Sequence, residues 1–251
     1  MVALSRLFLM NCESTSSKSG SETAHHVRSY VRRAGRITPA QRSALDGLLR
    51  EYAVPSEVPF KASEVFGREA PCWLEVGFGD GDNLIALASQ HPEIDFVGLE
   101  VHTPGIGRLL RGVQEHGLTN VRVQDGDAVM FLRDQCPNPS FDRILLLFPD
   151  PWPKKRHHKR RILQPEFAKL VSEKLRDGGV FHAATDWQPY AEFMLEVLED
   201  EPTLINASSS GYSVSAEERI ETKFERRGLR LGHDVWDLIY TREAASSKAT
   251  S

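Results

Sequence analysis

The chain has 251 residues and a formal net charge of -4, so it can bury one sizeable core and is not basic overall. Affinity for a polyanion would have to come from clustered charge on an acidic body. Cys12, Cys72 and Cys136 show no CxxC or Cys/His ligand spacing. That argues against a disulfide framework or a structural metal and fits a reducing, cytoplasmic compartment. No apolar run approaches the roughly 18 residues that span a bilayer, so no membrane is expected among its partners.

Residues 1–26 become rich in Ser, Thr, Lys and Glu after the first ten and are expected to form a disordered extension. Arg28–Arg36 is a basic cluster around Tyr30. Thr38, Pro39 and Gln41 then predict a helix start, with Thr38 as N-cap and Pro39 in the first helical position. From Cys72 onward the pattern alternates. A strand over 72–76 precedes a glycine-rich turn and a helix over 82–90. A strand over 95–100 precedes a helix over 106–115, and a strand over 120–124 a helix over 128–135. A strand over 141–148 leads into a proline-rich basic loop and a helix over 165–175. Asp177-Gly178-Gly179 is expected to end that helix. A strand over 180–184, a helix over 189–198 and a last strand over 234–240 follow. Repeated βα units predict an α/β fold, a doubly wound Rossmann-like sheet with helices on both faces and its ligand site at the strand ends. The folded domain is expected to span 27–243, with 244–251 as a flexible tail.

Leu74-Glu75-Val76-Gly77-Phe78-Gly79-Asp80-Gly81 runs a strand into a turn where Gly77 and Gly79 let the backbone approach a ligand closely. The spacing is GxGxG, not the GxGxxG of nicotinamide and flavin folds. Carboxylates at Glu75 and Asp80 would repel a pyrophosphate but not a sulfonium-bearing amino acid. This favours S-adenosylmethionine over a dinucleotide; a plain structural turn is the competing reading. Glu100, ending the second strand, stands where doubly wound nucleotide sites hold ribose hydroxyls. Asp127, just past the third strand, could accept from an adenine amino group, cap the next helix, or do both. His102 reads as a turn or capping residue, and Trp73 and Trp236 read as core.

The strand over 141–148 ends in Phe148-Pro149-Asp150-Pro151-Trp152, and Pro153-Lys154-Lys155-Arg156-His157-His158-Lys159-Arg160-Arg161 follows. Taken alone, the first segment could be a rigid turn whose Trp plugs the sheet end, and the second a solvated surface or a targeting signal. Together they place a base-sized slot next to a phosphate-sized patch. If the acceptor is a ring nitrogen with a free lone pair, such as guanine N7, no proton has to be removed. The site then needs an acceptor-side carboxylate for position and charge, not a strong base. Such a carboxylate can accept from guanine N1 and N2, and Trp152 could stack on or wall the pocket. Asp186, in Thr185-Asp186-Trp187, either faces the same strand-end crevice or caps the following helix.

These segments resemble the bacterial tRNA (guanine-N7-)-methyltransferases, class I S-adenosylmethionine-dependent enzymes that act on the variable-loop guanine at position 46. The likeness runs from about Arg28 to Arg242. It rests on Arg28–Arg36, Glu75–Gly79, Gly98–His102, Phe148–Trp152 with its basic tail, Ala184–Trp187 and Thr222-Lys223-Phe224-Glu225. The resemblance implies that Glu75, Gly77, Gly79, Glu100, Asp127 and Asp150 line the S-adenosylmethionine site and that Asp150 is the catalytic acidic residue. It also implies that Lys154, Asp186, Thr222, Lys223, Phe224 and Glu225 bind substrate. Arg156, His157, His158, Lys159, Arg160 and Arg161 match its RNA-contacting segment. The implied partner is tRNA, met by a monomer or a homodimer. Two other readings stay open at this point: an exocyclic-amine methyltransferase, and a non-catalytic RNA-binding protein of the same fold. A nicotinamide oxidoreductase is the weakest, for the spacing and charge reasons above.

Overall fold

A computed structural model describes residues 35–213 and 234–244. The expectations for 1–26, for 28–34, for Thr222–Glu225 and for 245–251 lie outside the described residues. In chain order the elements are α1 (Pro39–Tyr52), α2 (Ala62–Phe66), β1 (Cys72–Val76), α3 (Asp82–Gln90), β2 (Asp95–Glu100), α4 (Thr103–Glu115), β3 (Val121–Asp125), α5 (Ala128–Asp134) and β4 (Phe141–Leu147). A 3-10 helix (Lys155–Arg160), α6 (Pro165–Lys174), β5 (Leu175–Thr185), α7 (Gln188–Glu199), β6 (Leu204–Asn206) and β7 (Trp236–Arg242) complete them.

The strands form one sheet in the order β3-β2-β1-β4-β5-β7-β6. β1 to β5 run parallel, and β7 is antiparallel to both β5 and β6. The order reverses between β1 and β4, so the crevice outside their carboxyl ends is the place where such a sheet takes its ligand. Alternation along each strand sends neighbouring side chains to opposite faces. Leu74, Val76, Ile144 and Leu146 join Phe131, Phe167, Val171 and Met194 in one buried cluster. Leu145, Leu147 and Phe96 join Leu84, Leu87, Ile106 and Leu109 in the other. Each fully buried Leu or Phe contributes about 1.5–3 kcal/mol, so both helical layers are held by the faces that periodicity assigns them.

The predicted start of α1 is present. Thr38 Oγ1 accepts from Gln41 N, and Gln41 Oε1 accepts from Thr38 N at 2.9 Å. The Gln41 amide also donates to Pro104 O at 3.1 Å, which ties α1 to α4.

Several boundaries differ from expectation. α4 begins three residues earlier, because Pro104 sits in its first turn, where the missing N–H costs nothing. Asp177-Gly178-Gly179 does not end α6. Leu175 already pairs with Phe141, and the register then shifts so that Arg143 faces Val180. The Asp-Gly-Gly segment is thus an irregularity inside β5, with Gly178 at φ 75°. The last strand runs 236–242, two residues later than expected. The short elements α2 and β6 span five and three residues, too few to leave a periodic trace.

Candidate active site

Gly77, Gly79 and Gly81 all have positive φ (73°, 60° and 83°), a backbone region that a Cβ disfavours. The turn therefore winds back onto β2. Gly77 N donates to Leu99 O at 2.8 Å, and Gly79 N donates to Glu100 Oε2 at 2.8 Å. Glu100 Oε1 accepts from Val101 N at 2.7 Å and from His102 N at 2.9 Å. Three donors hold this carboxylate, and a carboxylate has about four acceptor positions, so one remains for a ligand hydroxyl. A Cβ built on Gly77 would meet nothing within 4 Å, so the turn borders open space. On its other side, a Cβ on Gly105 of α4 would lie 2.0 Å from Gly79 O. His102 is the N-cap residue of α4, but its side chain makes no capping bond.

Glu75 lies between Leu74 and Val76 and so points to the opposite face of β1, toward α3. It is buried, and Asn83 Nδ2 donates to its Oε2 at 3.0 Å. Burial pushes its carboxyl up to about 7; the Asn83 hydrogen bond pulls the other way, and Glu100 adds to the rise. A cation placed nearby would draw Glu75 to its anionic form. Asp80 and Asp82 both face Arg108. Arg108 NH1 lies 3.5 Å from Asp80 Oδ2, and Arg108 NH2 lies 3.1 Å from Asp82 Oδ1. Asn83 and Arg108 were not singled out from the sequence. Asn83 left one trace, a polar residue beside Leu84 on the buried side of α3; Arg108 left none.

Asp127 caps α5, with Oδ1 accepting from Val129 N at 2.9 Å and Met130 N at 3.1 Å. The capping role is thus present, and it does not bar a second contact through the other oxygen. Trp73 packs edge-on against Phe96 at 5.6 Å between centroids, with the Arg143 guanidinium 4.5 Å from its ring centre. Trp73 and Trp236 are only partly buried.

The loop after β4 is rigid by composition. Phe148 N donates to Ala184 O at 2.7 Å, which joins the ends of β4 and β5. Pro149, Pro151 and Pro153 then bring no N–H donors. Phe148 and Trp152 both have positive φ, 52° and 44°, on either side of the exposed Asp150. Trp152 does not simply plug the sheet end: the His157 ring meets it edge-on at 5.8 Å, and the Arg160 guanidinium lies 5.1 Å from its centre. A 3-10 helix repeats every three residues. His157 and Arg160 therefore share the side over Trp152, and His158 and Arg161 share the inner side. Lys154, Lys155, Arg156 and Lys159 are exposed. Loss of solvation and the cations Arg156, Arg160 and Lys154 hold the His157 imidazole below its usual value.

Arg161, expected to contact RNA, lies inside the fold. It is 3% exposed, its guanidinium carbon lies 4.7 Å from the Tyr190 ring centre and 5.0 Å from that of Phe193, and its Nε donates to Pro151 O at 3.0 Å. Burial against two rings of α7 turns it away from solvent. Asp186 is half-buried at the end of β5. The N-cap position of α7 is Trp187, without a side-chain capping bond, so Asp186 is not the cap residue. Among the described residues, no group of three or more His, Cys, Asp or Glu could hold a metal ion, and no helix is long and apolar enough to cross a membrane.

A family model described as "Putative methyltransferase" matches residues 69–238. The tRNA (guanine-N(7)-)-methyltransferase of Pseudomonas syringae pv. syringae (strain B728a) is 52% identical over 233 residues, covering 92% of this chain and 96% of its own. That of Pseudomonas putida (strain W619) is 53% identical over 218 residues, covering 86% and 91%. Among solved structures, the 16S rRNA methyltransferase KamB has a TM-score of 0.54 at 19% identity, covering 77% of this chain and 99% of its own. The aminoglycoside resistance methyltransferase NpmB1 has a TM-score of 0.51 at 14% identity, covering 72% and 91%. The structural likeness shows the fold, a class I methyltransferase sheet. Identity above one half across nine-tenths of the sequence shows more: the chain belongs to the tRNA (guanine-N(7)-)-methyltransferase family.

Proposed function

We propose that the protein transfers the methyl group of S-adenosylmethionine to N7 of a guanine in tRNA, with the variable-loop guanine at position 46 as the target. One observation carries the reading. The rigid Asp150 loop leaves β4, the neighbour of the β1 strand that feeds the glycine turn, and a row of exposed cations adjoins it. Membership of the family supports the same activity. A single domain over 27–243 would do this work in the cytoplasm, where tRNA is found.

When bound, S-adenosylmethionine supplies an electrophilic methyl on a sulfonium. Gly77 and Gly79 let the backbone approach the cofactor, the remaining acceptor position of Glu100 takes a ribose hydroxyl, and Asp127 takes the adenine amino group. Glu75, balanced between its neutral and anionic forms, provides negative charge when a cationic ligand enters. Asp150 accepts from N1 and N2 of the target guanine and so directs N7 toward the donor. The N7 lone pair takes the methyl as the S–CH3 bond breaks and its electron pair stays on sulfur; with this third substituent the guanine ring becomes cationic, and Asp150 favours that state. Removing one such preorganised group typically costs about 10²–10³ in rate. No proton leaves N7, so no general base is required. Lys154 and Asp186 bind the substrate, as do Thr222, Lys223, Phe224 and Glu225. Arg156, His157, Lys159 and Arg160 set the RNA in place through phosphates, with His158 behind them against Arg161.

The test is a single reaction of the purified protein with unmodified tRNA and labelled S-adenosylmethionine, followed by digestion and nucleoside mass spectrometry. N7-methylguanosine that depends on a variable-loop guanine is the expected product. An N2-methylated or other exocyclic product would reject N7 as the acceptor.

A further inference from the structure

The loop that carries Asp150 has few backbone donors of its own. Three prolines in Phe148–Pro153 remove half of its backbone donors, and the two residues with positive φ, Phe148 and Trp152, each store about 1–3 kcal/mol of strain. Strain of that size persists only where surrounding groups over-determine the conformation. Trp152 packs against His157 and Arg160, and Phe148 N to Ala184 O fixes the loop's entry. Its exit is held from elsewhere, by a carbonyl that accepts rather than a backbone that donates. Pro151 O, one residue after Asp150, accepts from Arg161 Nε at 3.0 Å.

Arg161 is suited to this by everything around it. Its guanidinium is buried against the rings of Tyr190 and Phe193, and its NH2 lies 3.3 Å from His158 Nε2 on the same side of the 3-10 helix. Gln164 Nε2 donates to both His158 O (3.1 Å) and Arg161 O (3.2 Å), closing the segment from below. Tyr190 belongs to α7, whose start follows Asp186 and Trp187 at the end of β5. One side chain thus joins the Asp150 loop, the basic helix and α7. A planar fork can stack on rings and direct a single N–H at a carbonyl, which a lysine ammonium does less well.

We propose that Arg161 is a positioning residue for Asp150, not an RNA contact: it fixes the Pro151 carbonyl from a cation pocket formed by Tyr190 and Phe193. The inference rests on the methyltransferase reading above and deepens it. It divides the basic run by role, with exposed members on phosphate and one buried member on the catalytic loop.

The test uses the full chain, unmodified tRNA and S-adenosylmethionine. Arg161→Lys should lower kcat about tenfold or more, while KM for tRNA stays within about twofold and the salt dependence of tRNA binding keeps its slope. S-adenosylmethionine should still bind with a stoichiometry of one, because a loss of folded protein would lower stoichiometry and kcat together. Phe193→Leu, which thins the pocket and leaves the charge, should lower kcat in the same direction by less. A raised tRNA KM with unchanged kcat in Arg161→Lys, together with a salt slope smaller by about one in the charge-removing Arg161→Gln, would make Arg161 a phosphate contact and overturn the proposal. So would a parallel fall in stoichiometry, or Arg161→Lys with wild-type kinetics. If the unsubstituted protein made no N7-methylguanosine, the methyltransferase reading itself would fail, a result separable from all of these.

Discussion

Asn83 Nδ2 donates to Glu75 Oε2 at 3.0 Å in a buried contact, to a carboxyl that burial raises from 4.5 to about 7. A carboxyl raised in the folded state contributes stability that is fully present below its unfolded value and is lost as pH rises through about 7. The shift corresponds to about 3 kcal/mol. Glu75→Gln should therefore stabilise the ligand-free protein by up to about 3 kcal/mol at pH 8 and by little at pH 4. Denaturant melts at the two pH values check this. S-adenosylmethionine affinity of the unsubstituted protein should rise with pH over the same window, and Glu75→Gln should flatten that rise.

Gly105 faces the carbonyl of Gly79, where an added Cβ would lie 2.0 Å from oxygen. Both partners are backbone, so neither can rotate away. Gly105→Ala should push the glycine turn off β2, with a stability cost of about 1–3 kcal/mol. Weaker cofactor binding by calorimetry should accompany it, whereas Gly47→Ala, with open space around it, should leave binding unchanged.

Glu100 is the latch of the same turn. In Glu100→Gln the amide oxygen can replace one acceptor, but its NH2 faces backbone donors. A charge-assisted hydrogen bond is worth about 1.5–3 kcal/mol, so cofactor Kd should rise about tenfold or more. Titration calorimetry at fixed pH measures it.

Much of this arrangement was legible in the sequence, because local chemistry dictated it. Thr38, Pro39 and Gln41 formed the predicted capping box, and the alternating apolar runs gave five parallel strands with their carboxylates at one edge. Three features escaped. Asp177-Gly178-Gly179 reads locally as a helix stop, but the pairing of Leu175 with Phe141 is a non-local hydrogen-bonding choice. The inward turn of Arg161 depends on rings 29 and 32 residues further along, at Tyr190 and Phe193. The Arg108 bridge to Asp80 and Asp82 depends on how α4 lies over the glycine turn. In each case the deciding partner is distant in sequence.

Exposed cations of the 3-10 helix should act through phosphate. Lys159→Ala should lower the slope of log affinity against log salt by about 0.7–0.9 and leave kcat at saturation unchanged. His157 is held below its usual value by loss of solvation and by Arg156, Arg160 and Lys154, which favours its neutral form. Phosphate favours its protonated form, so tRNA affinity should strengthen as pH falls. His157→Asn should remove part of that trend, read by filter binding at constant salt.

The most direct test of the central claim is the rate of Asp150→Ala on unmodified tRNA, with the methylated atom identified by mass spectrometry and cofactor binding measured in parallel. The predicted result is N7-methylguanosine from the unsubstituted protein and a rate lower by about 10²-fold or more for the variant, which still binds S-adenosylmethionine. An Asp150→Ala variant that forms N7-methylguanosine at the normal rate would contradict it.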